Sequence, residues 1–175
     1  MTAAPAAPAA ANEFPPAIGD SVRQAATEFF ATYCGLDLSE QKNPQRDAPC
    51  AGIMGVISFF GDPVWSFAIV LPEKTAVFAA QKFAGFEIPF DSADMGDMVG
   101  EMANVIAGDI CARLDSRGIK AQMSLPTVAR GHDVELLPPS DSCTSRLSLT
   151  SENGNCWFKL VKARNGHAAA RRPGT

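Results

Sequence analysis

A chain of 175 residues, 46% of them hydrophobic, is long enough to fold as one domain with a sizeable core. Its formal net charge of −4 and pI near 5.1 repel phosphate backbones, and no basic stripe interleaves with aromatics, so no nucleic acid partner is expected. No window reaches the roughly 18 to 20 uninterrupted apolar residues of a membrane helix, and Met1 to Ala11 lacks a basic region or a leucine-rich run, so no membrane partner and a cytoplasmic location are expected.

Residues 1–16, dominated by Ala and Pro, predict a disordered tail, and 163–175, with Arg164, Arg171 and Arg172 among Gly, Ala and Pro, predict a flexible basic tail. The domain is expected over 17–162. Ile18, Val22, Ala25, Ala26, Phe29, Phe30 and Tyr33 recur at the spacing of one apolar helical stripe, which Gly35 closes. After a polar connection, Gly52 to Phe60 and Val64 to Leu71 are rich in Ile, Val, Phe and Trp, and Gly61-Asp62-Pro63 between them suits a turn. They predict a hairpin of central strands. Pro72 and Glu73 open a short helix whose apolar positions are Val77, Ala80 and Phe83 and which Gly85 caps.

A second long helix is expected from near Asp94, with Asp91, Ser92 and Asp94 as acceptable caps, to about Leu114 before Gly118. Beyond it, Ile119 to Thr127 and Val134 to Leu137 predict strand pieces around Pro126 and Gly131. Thr144 to Thr150 and Cys156 to Val161 predict a terminal hairpin about an Asn153-Gly154 turn. Strands joined by tight turns pair antiparallel, so the class is α+β, with two long helices packed on a largely antiparallel sheet.

The five cysteines (Cys34, Cys50, Cys111, Cys143 and Cys156) are scattered, with the closest pair thirteen residues apart, so they predict reduced, mostly buried thiols and no metal knuckle. His132, in an expected turn, and His167, in the tail, have no partner at a catalytic spacing. There is no glycine-rich phosphate loop with its lysine, and neither an intrinsic cofactor nor a metal site is expected.

The chemistry gathers on the second long helix. Met95, Met98, Val99, Met102, Val105 and Ile106 fall in one apolar sector, while Asp97, Glu101, Asn104, Gly108 and Asp115 lie opposite. Glu101 and Asn104 stand at i and i+3, about 60° apart, so a carboxylate and a carboxamide point outward together. Gly108, one turn on, lowers helix stability by about 1 kcal/mol relative to Ala, a cost that close approach of another molecule would explain. Asp97 suits the positive early helix, and Asp109 suits an i, i+4 pair with Arg113.

The pattern Asp97-x-x-x-Glu101-x-x-Asn104, continuing as Val-Ile-Ala-Gly108, resembles the signature helix of the CheX and CheC family of chemotaxis phosphatases. The resemblance extends to Gly52-Ile-Met-Gly55, the turn at Gly61, and Leu125-Pro126-Thr127-Val128-x-x-Gly131. It implies a CheX/CheC-like layered domain that hydrolyses the aspartyl phosphate of a CheY-like receiver domain. Glu101 would ion-pair with a receiver lysine and Asn104 would position the attacking water, with Mg2+ carried by the receiver. CheC-like members bear a second Glu-x-x-Asn on the first helix; here Thr27-Glu28-Phe29-Phe30-Ala31 has Ala31 in place of that Asn. The resemblance therefore implies a single-site, CheX-like protein and a homodimer, for which strand edges at the terminal hairpin offer a route. Two alternatives remain open, a receiver-binding adaptor without catalysis and a dimerisation module whose motif helix is covered.

Overall fold

The computed structural model describes residues 14–42 and 50–162. In chain order they form α1 (Pro16–Cys34), β1 (Ser39–Glu40), β2 (Ala51–Gly61), β3 (Trp65–Pro72), α2 (Glu73–Ala84), α3 (Ala93–Ser116), β4 (Ala121–Met123), β5 (Thr127–His132), β6 (Cys143–Ser151) and β7 (Gly154–Lys162). The expected tails lie outside the described residues, apart from the last three residues of the first. Of these, Phe14 packs edge-on against Trp65 and Pro16 opens α1.

The strands make a seven-stranded sheet in the order β1-β6-β7-β3-β2-β4, with β5 also paired to β2, and every pairing is antiparallel. Alternation along β2 and β3 sends Ile53, Ile57, Phe59, Trp65, Phe67, Ile69 and Leu71 into the main core under the helices. Met54, Ala68 and Val70 point the other way into a smaller cluster with Trp157, Val134 and Leu136. Because the central strands are buried on both faces, they read as continuous apolar runs rather than alternating ones.

Both long helices are amphipathic by design of spacing. α1 buries Ile18, Val22, Ala25, Ala26, Phe29 and Phe30 and ends at Gly35, whose φ of 61° is the left-handed cap conformation. Tyr33, expected in that stripe, is 49% exposed; its ring lies edge-on to Phe83 at the margin of the core. In α2 the buried face is Thr75, Ala76, Ala79 and Ala80, with Val77 and Phe83 partly buried at its rim.

Residues 119–137 differ most from expectation. The single piece expected over Ile119 to Thr127 is split into β4 and β5 on either side of Ser124-Leu125-Pro126, and β5 continues through Gly131 to His132 instead of turning there. Val134 to Leu137 is not a strand: Asp133, at φ 54°, turns the chain out of the sheet and its N–H donates to the carbonyl of Cys50. In the terminal hairpin Ser151 pairs with Gly154, so the tight turn is Glu152-Asn153, one residue before the expected Asn-Gly pair. Of the cysteines, Cys34 and Cys156 are buried and Cys50, Cys111 and Cys143 are partly exposed, fewer buried than expected.

Candidate functional site

α3 is the element that presents the candidate site, and its placement follows from a few contacts. Ser92 is the N-cap, its hydroxyl accepting from the N–H of Met95 at 3.2 Å while donating to the carbonyl of Pro89 at 2.8 Å. Met95, Val99, Met102, Ile106, Ile110 and Leu114 then seat the helix on the core. Close approach to the sheet needs Gly55: a Cβ there would lie 3.1 Å from that of Ala103 and 3.5 Å from Val99. The solvent-facing side is thereby fixed in height and rotation over β2 and β5.

Asp97 and Glu101 are exposed, Asn104 is half-buried, and all three line one open groove with Gly96 and Gly100 on the helix side. Leu125, Pro126, Val128 and Arg130 form the opposite wall. The side chains of Glu101 and Asn104 make no hydrogen bond or ion pair with another described residue, so both are available to a visitor. Asp97 sits in the second turn and the cap role belongs to Ser92. Gly108 is exposed one turn beyond Asn104, and a Cβ there would meet nothing within 4 Å.

Arg130 has no counterpart among the residues singled out from the sequence. Its Nη1 donates to the carbonyls of Phe90 and Ser92, both at 2.6 Å, and its guanidinium lies 5.9 Å from the Phe90 ring centroid. It therefore ties the strand wall of the groove to the helix N-terminus and places a cation opposite the two acids. No local pattern announces such a residue, because its partners lie about 40 positions earlier in the chain.

The corresponding face of α1 is also an open depression, lined by Gln24, Thr27, Glu28, Ala31 and Arg113, but its glutamate is engaged within the fold. Glu28 forms an ion pair with Arg113, which also binds Asp109 at 2.8 Å as the i, i+4 spacing predicted, and donates to the side-chain oxygen of Gln24 at 3.1 Å. Ala31 supplies no amide beside it. Among the described residues no cluster of three or more His, Cys, Asp or Glu could hold a metal ion, and no helix is long and apolar enough to cross a membrane.

The profile of the family described as "Chemotaxis phosphatase CheX" matches residues 53–149, more than half of the chain. No curated protein sequence matches. Among solved structures, the chain is similar to a chemotaxis protein CheX from Vibrio vulnificus, with 21% identity and a TM-score of 0.74 over 83% of this chain and 98% of that one. A CheC-like superfamily protein from Shewanella sp. PV-4 gives 20% identity and a TM-score of 0.76 over 85% and 99%. The CheX of a CheX-CheY-BeF3-Mg2+ complex from Borrelia burgdorferi gives 18% identity and a TM-score of 0.63 over 83% and 97%. At these identities the structural likeness establishes the fold, a CheX/CheC-like α+β domain.

Proposed function

Since this chain belongs to the CheX family of chemotaxis phosphatases, we propose that it hydrolyses the aspartyl phosphate of a CheY-like receiver domain, with Glu101 docking on the receiver and Asn104 positioning water. The observation that carries the reading is that Glu101 and Asn104, neighbours on one exposed helical face, line the same open groove with no partner of their own among the described residues. The Borrelia relative bound to a CheY carrying BeF3 and Mg2+ supports a receiver as the occupant and Mg2+ as the partner's ion.

The chemistry asked of this chain is small. An acyl phosphate is already activated; catalysis of its hydrolysis is chiefly positioning and charge neutralisation. The Asn104 carboxamide has both donor and acceptor atoms, so it holds a water oxygen in line with phosphorus without serving as a base. Attack forms the new P–O bond and the bond to the receiver's aspartyl oxygen breaks, which restores the receiver's aspartate carboxylate and releases inorganic phosphate carrying both protons of the water. Glu101 forms an ion pair with a receiver lysine, setting the register in which Asn104 reaches the phosphoryl group. Asp97 and Gly108 belong to the surface against which the receiver lies.

The protein is read as a cytoplasmic homodimer. Among the described residues β1 pairs with β6 at Leu149 and Thr150 and Gln41 donates its N–H to the carbonyl of Ser148, and the outer edge of β6 before Ser148 is the route to pairing with a second copy.

The test is Asn104→Ala. Phosphate release from phosphorylated CheY-like receivers of the same organism should fall by roughly 100-fold or more while complex formation survives. Undiminished turnover in the variant would refute the assignment. Equal release with and without the wild-type protein, despite a measurable complex, would replace the phosphatase by an adaptor.

A further inference from the structure

The groove has an apolar lip that neither Glu101 nor Asn104 explains. Phe59 of β2 pairs with Met123 of β4, and Val56 of β2 pairs with Thr127 of β5. Between those pairs, Ile57 and Ser58 stand opposite three residues, Ser124, Leu125 and Pro126. One residue too many occupies the edge strand, which is the defining feature of a β-bulge. Pro126 enforces it, having no N–H with which to continue the ladder. The surplus is taken up at Leu125, which the bulge turns outward to 86% exposure at the rim of the groove.

A single exposed leucine needs no explanation in general. This one differs in being held in place. Ser124 donates its N–H to the carbonyl of Ser58 at 2.8 Å, and Ser58 returns its own N–H to the Ser124 hydroxyl at 3.0 Å. That hydroxyl donates in turn to the carbonyl of Leu125 at 2.8 Å. On the other flank Pro126 stands against α3, where a Cβ on Gly100 would be 3.6 Å from its Cγ. Backbone on both sides of Leu125 is thus fixed to β2 and α3, so seating the side chain on a partner costs its own rotamer freedom but no ordering of the backbone.

We propose that Leu125 is the apolar anchor of the docking surface, a specificity-determining residue that seats on an apolar patch beside the phosphorylation site of the receiver. The inference rests on the receiver reading above and extends the same groove. A partner whose phosphorylated cleft meets Asn104 must lie across the groove, and its surface then covers the bulge. Full burial of a leucine side chain corresponds to roughly ten- to a hundredfold in affinity, and anchors of this kind surrounded by polar contacts dominate many interfaces.

The decisive measurement is the dissociation constant, by titration calorimetry, between the full chain and a CheY-like receiver loaded with BeF3 and Mg2+, which requires no catalysis. Leu125→Ala should raise Kd roughly tenfold and Leu125→Asp further, Leu125→Met should restore it, and Asn104→Ala should leave it within about twofold. Matched phosphate-release assays should place the Leu125 effect in KM rather than kcat. Unchanged Kd and KM in Leu125→Asp, with Asn104→Ala still inactive, would overturn the anchor and leave the phosphatase reading standing. Failure of the wild-type chain to bind any such receiver would overturn both.

Discussion

Arg113 of α3 donates from Nη2 to the carboxylate of Glu28 on α1 and from Nε to Asp109 at 2.8 Å, so one guanidinium bridges the two long helices. Its side chain is 24% exposed, well below that of Glu28 at 65%. Glu101 contrasts with Glu28: of two exposed glutamates on two long helices, one is engaged within the fold and one lines an open groove.

Removing the bridge should therefore affect stability and leave the reaction alone. Arg113→Ala deletes hydrogen bonds to Glu28, Asp109 and Gln24. The expected loss is about 1–2 kcal/mol, at the upper end for partly exposed charged pairs because three acceptors are released together. Urea denaturation measures it. Phosphate release by the folded variant should match that of the parent, and a large fall would mean that the α1 face takes part after all.

Glu101 acts through its charge in the proposed scheme, so an isosteric neutral residue is the sharpest probe. Glu101→Gln should weaken receiver binding about tenfold and flatten its dependence on ionic strength, because the ion pair that salt screens is gone. A variant whose affinity keeps the parent's salt dependence would show that the receiver's lysine is met elsewhere.

Gly108 separates stability from function. Nothing within 4 Å would touch a Cβ there, so Gly108→Ala should raise stability by about 1 kcal/mol through helix propensity alone. If a partner's surface lies on that bare turn, phosphate release should fall with Ala and fall further with Leu. Thermal melts and turnover measured on the same samples check both halves. A stabilised variant with full activity would relegate Gly108 to an inert position.

Local signals predicted what local physics controls. α3 was legible because its apolar residues recur every three or four positions and Ser92 caps it, and the face bearing Glu101 and Asn104 followed from that period. The strand β5 was not legible, because Pro126 and Gly131 mark breaks in sequence while the ladder to β2 that carries the chain through Gly131 is a contact between distant segments. The same distinction hides the bulge at Leu125, which exists only as a mismatch in count between two strands. It hides Arg130 too, whose meaning lies in the carbonyls of Phe90 and Ser92.

The buried thiols give a prediction about pH. Cys34 lies against α2, its Sγ 3.7 Å from the carbonyl of Ala79, and burial pushes its pKa up from 9.0 to about 12. Cys156 is raised as well, by burial first and by the nearby Cys34 second. Well below pH 9 folded and unfolded chains both keep these protons, so neither thiol makes stability depend on pH there. Between about 9 and 12 the unfolded chain loses its thiol protons while the folded chain retains them, so the unfolded state is favoured progressively as pH rises. Urea midpoints recorded from pH 7.5 to 10.5 should hold level with respect to these groups at first and then decline. Cys34→Ala should make that decline shallower, since one of the groups whose proton affinity differs between the two states is gone. An identical alkaline slope in the variant would mean that Cys34 is not shielded in solution as its position beneath α2 requires.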